Sequence, residues 1–142
     1  MALRSKQNYI DSIRGLHTEL YAYGKQVPDL WEHPCFRPAM EAIGLVYELS
    51  ENDGDKGFFT THSPFIDGKV NRFLHIHQTQ EDLRSRFRLS RFLVHKHGAC
   101  IGARCVGTGA LNSLFSTTYD MDRQLGTDYH HRLLAFIRHV QE

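Results

Sequence analysis

"TQEDLRSRFRLSRFLVHKHG", residues 79–98, is the stretch that decides how this chain folds. Thr79 followed by Asp82 has the three-residue offset of a capping box, in which a hydroxyl and a carboxylate satisfy the first orphan N–H groups of a helix. Leu83, Phe87, Leu89, Phe92 and Val94 follow at intervals that favour a helix reaching about Lys96 or Gly98. Arg84, Arg88 and Arg91 share one face of it, whereas Arg86 points elsewhere.

Downstream, the spacing predicts a helix over roughly 103–119, with Val106, Ala110, Leu114 and Thr118 on one face and Leu111 and Phe115 beside them. Gly107 and Gly109 lower its propensity, and glycines there point to the close approach of a backbone or ligand. After Gly126 a last helix restarts, with Leu133, Phe136, Ile137 and Val140 as its apolar stripe. That stripe is still in phase at Glu142, which reads as a piece of something longer.

Upstream, residues 58–78 hold Gly, Pro, Asn and Thr residues that suggest one long structured loop, with "VNRFLHI" (70–76) briefly extended. Alternation in "HIH" then puts His75 and His77 on one side. "ENDGDKG" (51–57) is a surface turn. Before it comes a helix with Pro38 in its first turn, where the missing N–H costs nothing, carrying Ala39, Ile43, Val46 and Tyr47. "ELYAYGKQVPD" (19–29) reads as a short hairpin around Gly24, and Tyr9, Ile13 and Leu16 mark a first helix. The fold class is therefore all-α: five helices, a short hairpin and one long loop, in one domain over residues 1–142.

A chain of 142 residues is long enough to bury a core without staples. A net charge of +1 gives no global field for nucleic acid, and no apolar run approaches a membrane span. The arginine run around residue 88 is interrupted by Phe87, Leu89 and Phe92 and carries no base-reading motif; neither a nucleic-acid nor a membrane partner is expected. The first fifteen residues lack a secretory apolar stretch, so the cytoplasm is the default location.

Three cysteines and ten histidines are the residues that bear on chemistry. Cys100 and Cys105 lie five positions apart, which on a regular helix turns their side chains about 140° away from each other. Gly102, between them, eases the bend that would bring both to one metal ion. Thiolates suit zinc or iron–sulfur centres, yet such sites need about four ligands and this pair offers two. Inert buried thiols are the other reading. In the loop, Arg72, His75, His77 and Gln78 are candidate donors to an anion or carbonyl, the alternative being that they anchor the loop to its own backbone.

"GKVNRFLHIHQTQEDL", "GACIGARCVGTGALNSLFSTTYDMD" and "GTDYHHRLLAFIRHVQE", with "YIDSIRGLHTELYAYGKQVPDLWEHPCFRP" at the start, resemble the N-terminal domain of the 4-hydroxybutyryl-CoA dehydratase / 4-hydroxyphenylacetate 3-hydroxylase family. The likeness runs collinearly over nearly the whole chain, and the "NRF-HIHQ-EDL" and "RCVG…ALN" blocks look most like the dehydratase branch, which includes vinylacetyl-CoA isomerase activity.

The resemblance implies the N-terminal helical domain of an acyl-CoA dehydrogenase-like flavoenzyme, usually a homotetramer, whose middle β-domain and C-terminal helical domain are missing from this sequence. It implies FAD, held mostly by those missing parts, so no residue here is assigned to it. In the dehydratase branch it also implies a [4Fe-4S] cluster with three Cys and one His ligand, of which Cys100 and Cys105 would be two. Arg104 would lie beside the cluster or pocket, and His75 and His77 would orient an acyl-CoA substrate. Four residues separate these cysteines where the family has three, an offset of about 100° on a helix. Because a β-hydrogen of 4-hydroxybutyryl-CoA is not acidic, the difficult steps fall to the cofactors. The chain alone is then expected to be inactive. Two alternatives stand beside this: the N-terminal part of an aromatic hydroxylase using a phenolic substrate and reduced flavin, or a non-catalytic helical interaction domain.

Overall fold

The computed structural model describes residues 3–53, 57–98 and 103–142, and the chain divides near residue 54 into two compact units. In the first, Ser5 caps α1 (Lys6–Arg14): its hydroxyl accepts from Asn8 N–H at 3.0 Å, and Asn8 Oδ1 accepts from Ser5 N–H at 3.1 Å. β1 (Tyr21–Ala22) and β2 (Lys25–Gln26) form the expected hairpin, Ala22 opposite Lys25. Its turn residues Tyr23 and Gly24 both have positive φ, 51° and 73°, the backbone that matches the right-handed twist of paired strands. α2 (Arg37–Glu51) starts with Pro38 in its first turn, as the sequence predicts.

Tyr9, Trp31 and Met40 form the core of this unit, with Ile13, Ile43 and Tyr47 packed around them. Tyr9 stacks on Tyr47 at 5.0 Å and meets Trp31 edge-on at 6.2 Å. Gly44 lets α1 and Trp31 close in, because a Cβ there would lie 3.2 Å from both Lys6 Cε and Trp31 Cη2.

The second unit departs from the expectation of one long loop. β3 (Thr60–His62) and β4 (Lys69–Asn71) pair antiparallel, Thr61 opposite Val70, and a 3-10 turn follows at Arg72–Leu74. Only 75–78 remains extended before α3 (Gln80–His97). The capping box of α3 forms as the sequence predicts, and Gly98 ends the helix in the left-handed region at φ 69°. α4 (Ala103–Leu125) runs six residues beyond the expected Tyr119. Gly126, at φ 66°, turns the chain into α5 (Tyr129–Gln141). Asp122 supplies the cap for α5: one carboxylate oxygen accepts from Thr127 and Tyr129 at 2.7 and 2.8 Å, the other from His130 N–H at 2.8 Å.

Val70, Phe73, Ile76, Leu89, Leu93 and Ile137 are the buried apolar residues of this unit, each worth roughly 1.5–3 kcal/mol relative to exposure. Arg72 is spent on the hairpin: its guanidinium donates to the carbonyls of Gly57, Phe58 and Thr60 at 2.6, 3.2 and 3.1 Å. It therefore anchors backbone, the loop-anchoring alternative of the sequence reading. Gln141, also buried, donates to Leu74 O at 2.7 Å and accepts from Ser63 Oγ at 2.6 Å, so the last turn of α5 is tied to the start of the unit.

Among the described residues no helix is long and apolar enough to cross a membrane.

Candidate functional site

α4 meets the rest of its unit through a mixed face, where Phe115 packs on Phe65 and His130 at 5.6 and 4.9 Å and the polar Thr108 and Asn112 stand beside it. Of the predicted stripe Val106 is 73% exposed, Leu114 47% and Ala110 exposed, whereas Thr118 and the neighbouring Leu111 and Phe115 are half-buried. A Cβ on Gly107 or Gly109 would meet nothing within 4 Å, so none of the described residues makes the close approach those glycines suggest. The inward face carries Thr108, 1% exposed, and the half-buried Asn112.

Those two side chains hold the segment that bears the histidines. Thr108 Oγ1 lies 2.7 Å from the Phe73 carbonyl and 2.9 Å from that of Arg104. Asn112 Oδ1 accepts the His77 N–H at 2.7 Å, and its Nδ2 donates to the His75 carbonyl at 3.2 Å and the Thr108 carbonyl at 2.9 Å. One side-chain amide thus occupies the carbonyl and N–H that a neighbouring strand would have taken. Ile76, between the two contacts, is driven into the core at 1% exposure. Its neighbours His75 and His77 are left on the other side of the strand, ring centroids 6.4 Å apart, as the alternation requires.

His75 is buried, with Nε2 3.4 Å from Asp82 Oδ1 and a buried Nδ1 that has no hydrogen-bond partner among the described residues. Burial lowers its pKa below the usual imidazole value, against the opposing pull of Asp82. The half-buried His77 is lowered as well, first by burial, then by His75 and the Arg86 charge, and its Nε2 also has no partner among the described residues. Burial works to raise the Asp82 pKa. The N–H of Gln78 and the hydroxyl and N–H of Thr79, all donating to Oδ2, carry it below the ordinary carboxylate value instead. Near neutral pH the pair of imidazoles is therefore uncharged, able to accept or donate through His75 Nδ1 and His77 Nε2, which bond nothing else among the described residues.

Arg86 lies off the face shared by Arg84, Arg88 and Arg91, and its surroundings differ accordingly. Arg84 and Arg88 pair with Glu81 in solvent, at 3.7 and 3.0 Å. Arg86 turns inward instead, and its Nη2 donates to the Cys105 carbonyl at 3.0 Å and to Cys105 Sγ at 3.1 Å.

Of the predicted site residues, His75 and His77 come together, and Arg86 joins His77 electrostatically to Cys105. Arg104 stands one residue before Cys105 in the first turn of α4, half-buried, its carbonyl engaged by Thr108. Cys100 lies outside the described residues. Among the described residues no three His, Cys, Asp or Glu side chains converge as a metal shell. Cys105 is a free, half-buried thiol of the type that zinc and iron–sulfur centres take as a ligand.

Residues 5–142 match the family model described as the 4-hydroxyphenylacetate 3-hydroxylase N terminal. The chain is 36% identical over 140 residues to the 4-hydroxybutyryl-CoA dehydratase/vinylacetyl-CoA-Delta-isomerase of Clostridium aminobutyricum, covering 99% of itself and 28% of that relative. Against the solved oxygen-tolerant archaeal 4-hydroxybutyryl-CoA dehydratase from N. maritimus the TM-score is 0.90 at 39% identity, over 99% of this chain and 27% of that one. The oxygenase component of 4-hydroxyphenylacetate 3-monooxygenase, solved in complex with FAD, aligns over 66% of this chain and 19% of its own with a TM-score of 0.55 and 22% identity, a likeness of fold alone. The chain spans a little over a quarter of the length of its dehydratase relatives.

Proposed function

The chain belongs to the 4-hydroxyphenylacetate 3-hydroxylase N-terminal family, and from that membership we propose that it is the N-terminal helical domain of a dehydratase-like flavoenzyme acting on 4-hydroxybutyryl-CoA. The observation that carries the dehydratase branch over the hydroxylase branch is the match at TM-score 0.90 and 39% identity across 99% of the chain.

On this reading the middle and C-terminal domains complete the enzyme, and the 142 residues alone do not turn over. FAD is the expected redox partner and is bound chiefly by the remainder; no residue described above is assigned to it. A [4Fe-4S] cluster, when bound, supplies a Lewis acid for the departing hydroxyl. Cys105 offers it one thiolate, and Cys100 is the second ligand this segment would bring. His75 and His77 act as uncharged imidazoles that orient an acyl-CoA group, and Arg104 borders the same region. The outward apolar residues Val106 and Leu114 of α4 and Leu83 and Phe87 of α3 become surfaces for the remaining domains or for a neighbouring subunit of a homo-oligomer.

The test is a hybrid in which residues 1–142 replace the matching segment of the N. maritimus dehydratase. Anaerobic dehydration of 4-hydroxybutyryl-CoA by the folded hybrid is expected, without hydroxylation of 4-hydroxyphenylacetate when reduced FAD and oxygen are supplied. A folded hybrid that hydroxylates the phenol and leaves the CoA ester untouched moves the chain to the other branch.

A further inference from the structure

We propose that Asp82 is a positioning residue that fixes His75 as its Nε2–H tautomer and leaves Nδ1 as an acceptor for an N–H or O–H donor of the acyl-CoA, an inference that rests on the dehydratase reading above. Three observations carry it. Asp82 is itself held: its Oδ2 accepts from the Gln78 N–H at 3.0 Å and from the Thr79 N–H and hydroxyl, both at 2.9 Å, while Oδ1 lies 3.4 Å from His75 Nε2. The His75 backbone is held separately, its carbonyl taken by Asn112 Nδ2 at 3.2 Å. The ring between these anchors is 5% exposed, and its Nδ1 is buried without a hydrogen-bond partner among the described residues.

A lone pair on Nε2 would face a carboxylate oxygen across that 3.4 Å, whereas an N–H there is attracted to it. The single proton of the neutral ring therefore belongs on Nε2. Burial keeps the ring neutral, and the three donors on Oδ2 keep Asp82 ionised. Nδ1 is left with a lone pair alone, so it selects a donor. On 4-hydroxybutyryl-CoA the donors near the acyl group are the 4-hydroxyl and the amide N–H groups of the CoA tail; the thioester carbonyl finds no partner at this atom.

The tautomer is read on the isotope-labelled chain at neutral pH by long-range proton–nitrogen NMR correlation, which separates a protonated ring nitrogen from one carrying a lone pair. His75 is expected to be protonated at Nε2 and not at Nδ1. In Asp82→Asn the amide oxygen still accepts from Gln78 and Thr79, so the amide N–H groups face Nε2 and the ring proton moves to Nδ1. A helix cap with no hold on the ring would leave the tautomer as it is. Nδ1–H in wild type, or no inversion in the folded Asn variant, overturns the role of Asp82 and leaves the dehydratase reading intact. Should the Asn variant fail to fold, the wild-type tautomer decides.

The catalytic readout comes from the same segment exchange made in the Clostridium aminobutyricum relative, whose name pairs dehydration with vinylacetyl-CoA isomerisation. Asp82→Asn is expected to lower kcat/KM for 4-hydroxybutyryl-CoA by about 5- to 150-fold, the cost of leaving a buried donor unmet. Vinylacetyl-CoA has no hydroxyl, so isomerisation at the wild-type rate assigns the donor to the 4-hydroxyl, and an equal loss assigns it to the CoA amide. Undiminished turnover of both esters overturns the acceptor role of Nδ1. A folded wild-type hybrid inactive on both overturns the reading on which that role rests.

Discussion

Asn112 grips His77 by its backbone: the side-chain Oδ1 accepts the His77 N–H at 2.7 Å while Nδ2 holds the carbonyl two residues earlier. A helix here does the work of a neighbouring strand, and the geometry of both imidazoles depends on one amide.

Replacing Asn112 with Leu leaves that N–H and carbonyl without partners in a half-buried place, at a cost of about 2–4 kcal/mol. Hydrogen exchange at the His77 amide should accelerate strongly, with α1 and α2 unaffected. Asn112→Asp keeps the acceptor, so the His77 amide stays protected while the contact to the His75 carbonyl is lost. Equal protection in wild type and the Leu variant would show that the clamp contributes nothing.

His75 and His77 make the second unit sensitive to mild acid. Both folded pKa values lie below the ordinary 6.5, so the unfolded chain binds protons first. Their contribution is fully present above about pH 6.5 and drains away as pH falls from there to the depressed folded values. Asp82, lowered below 3.8, adds a second loss only in stronger acid. Urea midpoints of the second unit at pH 7.5 and pH 5 should differ in wild type and converge in a His75→Gln/His77→Gln double variant; a wild-type midpoint indifferent to this interval would contradict the assignment.

Gln141 offers a third check. Truncation to Ala strands the Leu74 carbonyl and removes the acceptor of Ser63, which costs about 1–3 kcal/mol. The loss should appear as faster amide exchange through the last turn of α5 and β3 together, whereas Arg138→Ala, on the exposed side of the same helix, should leave β3 untouched.

Much of this fold is legible because its signals are local. Thr79 and Asp82 announce the start of α3, Gly98 its end, and Tyr23–Gly24 the first hairpin, since each position needs a particular backbone or cap. The β3–β4 hairpin is not legible: three-residue strands carry too little alternation, and the guanidinium that braces them comes from outside both. On α4 the periodicity points to Val106, Ala110 and Leu114, yet Thr108 and Asn112 face inward. Hydrophobic patterning ranks apolar burial, and this contact is made of side-chain bonds to an extended backbone. The candidate site follows the same division. Alternation placed His75 and His77 together, whereas the Arg86–Cys105 contact joins residues 19 apart on different helices, and no spacing rule connects them.

The tether from Gln141 to Leu74 fixes a direction as well as a contact. A reporter or fluorophore attached after Glu142 departs from a point pinned against the β3–β4 hairpin, so its orientation is inherited from that hairpin and not from a fraying helix end. Paired with a dye at the exposed His62, such a probe would report separation of the two ends of this unit before any loss of helix content becomes measurable.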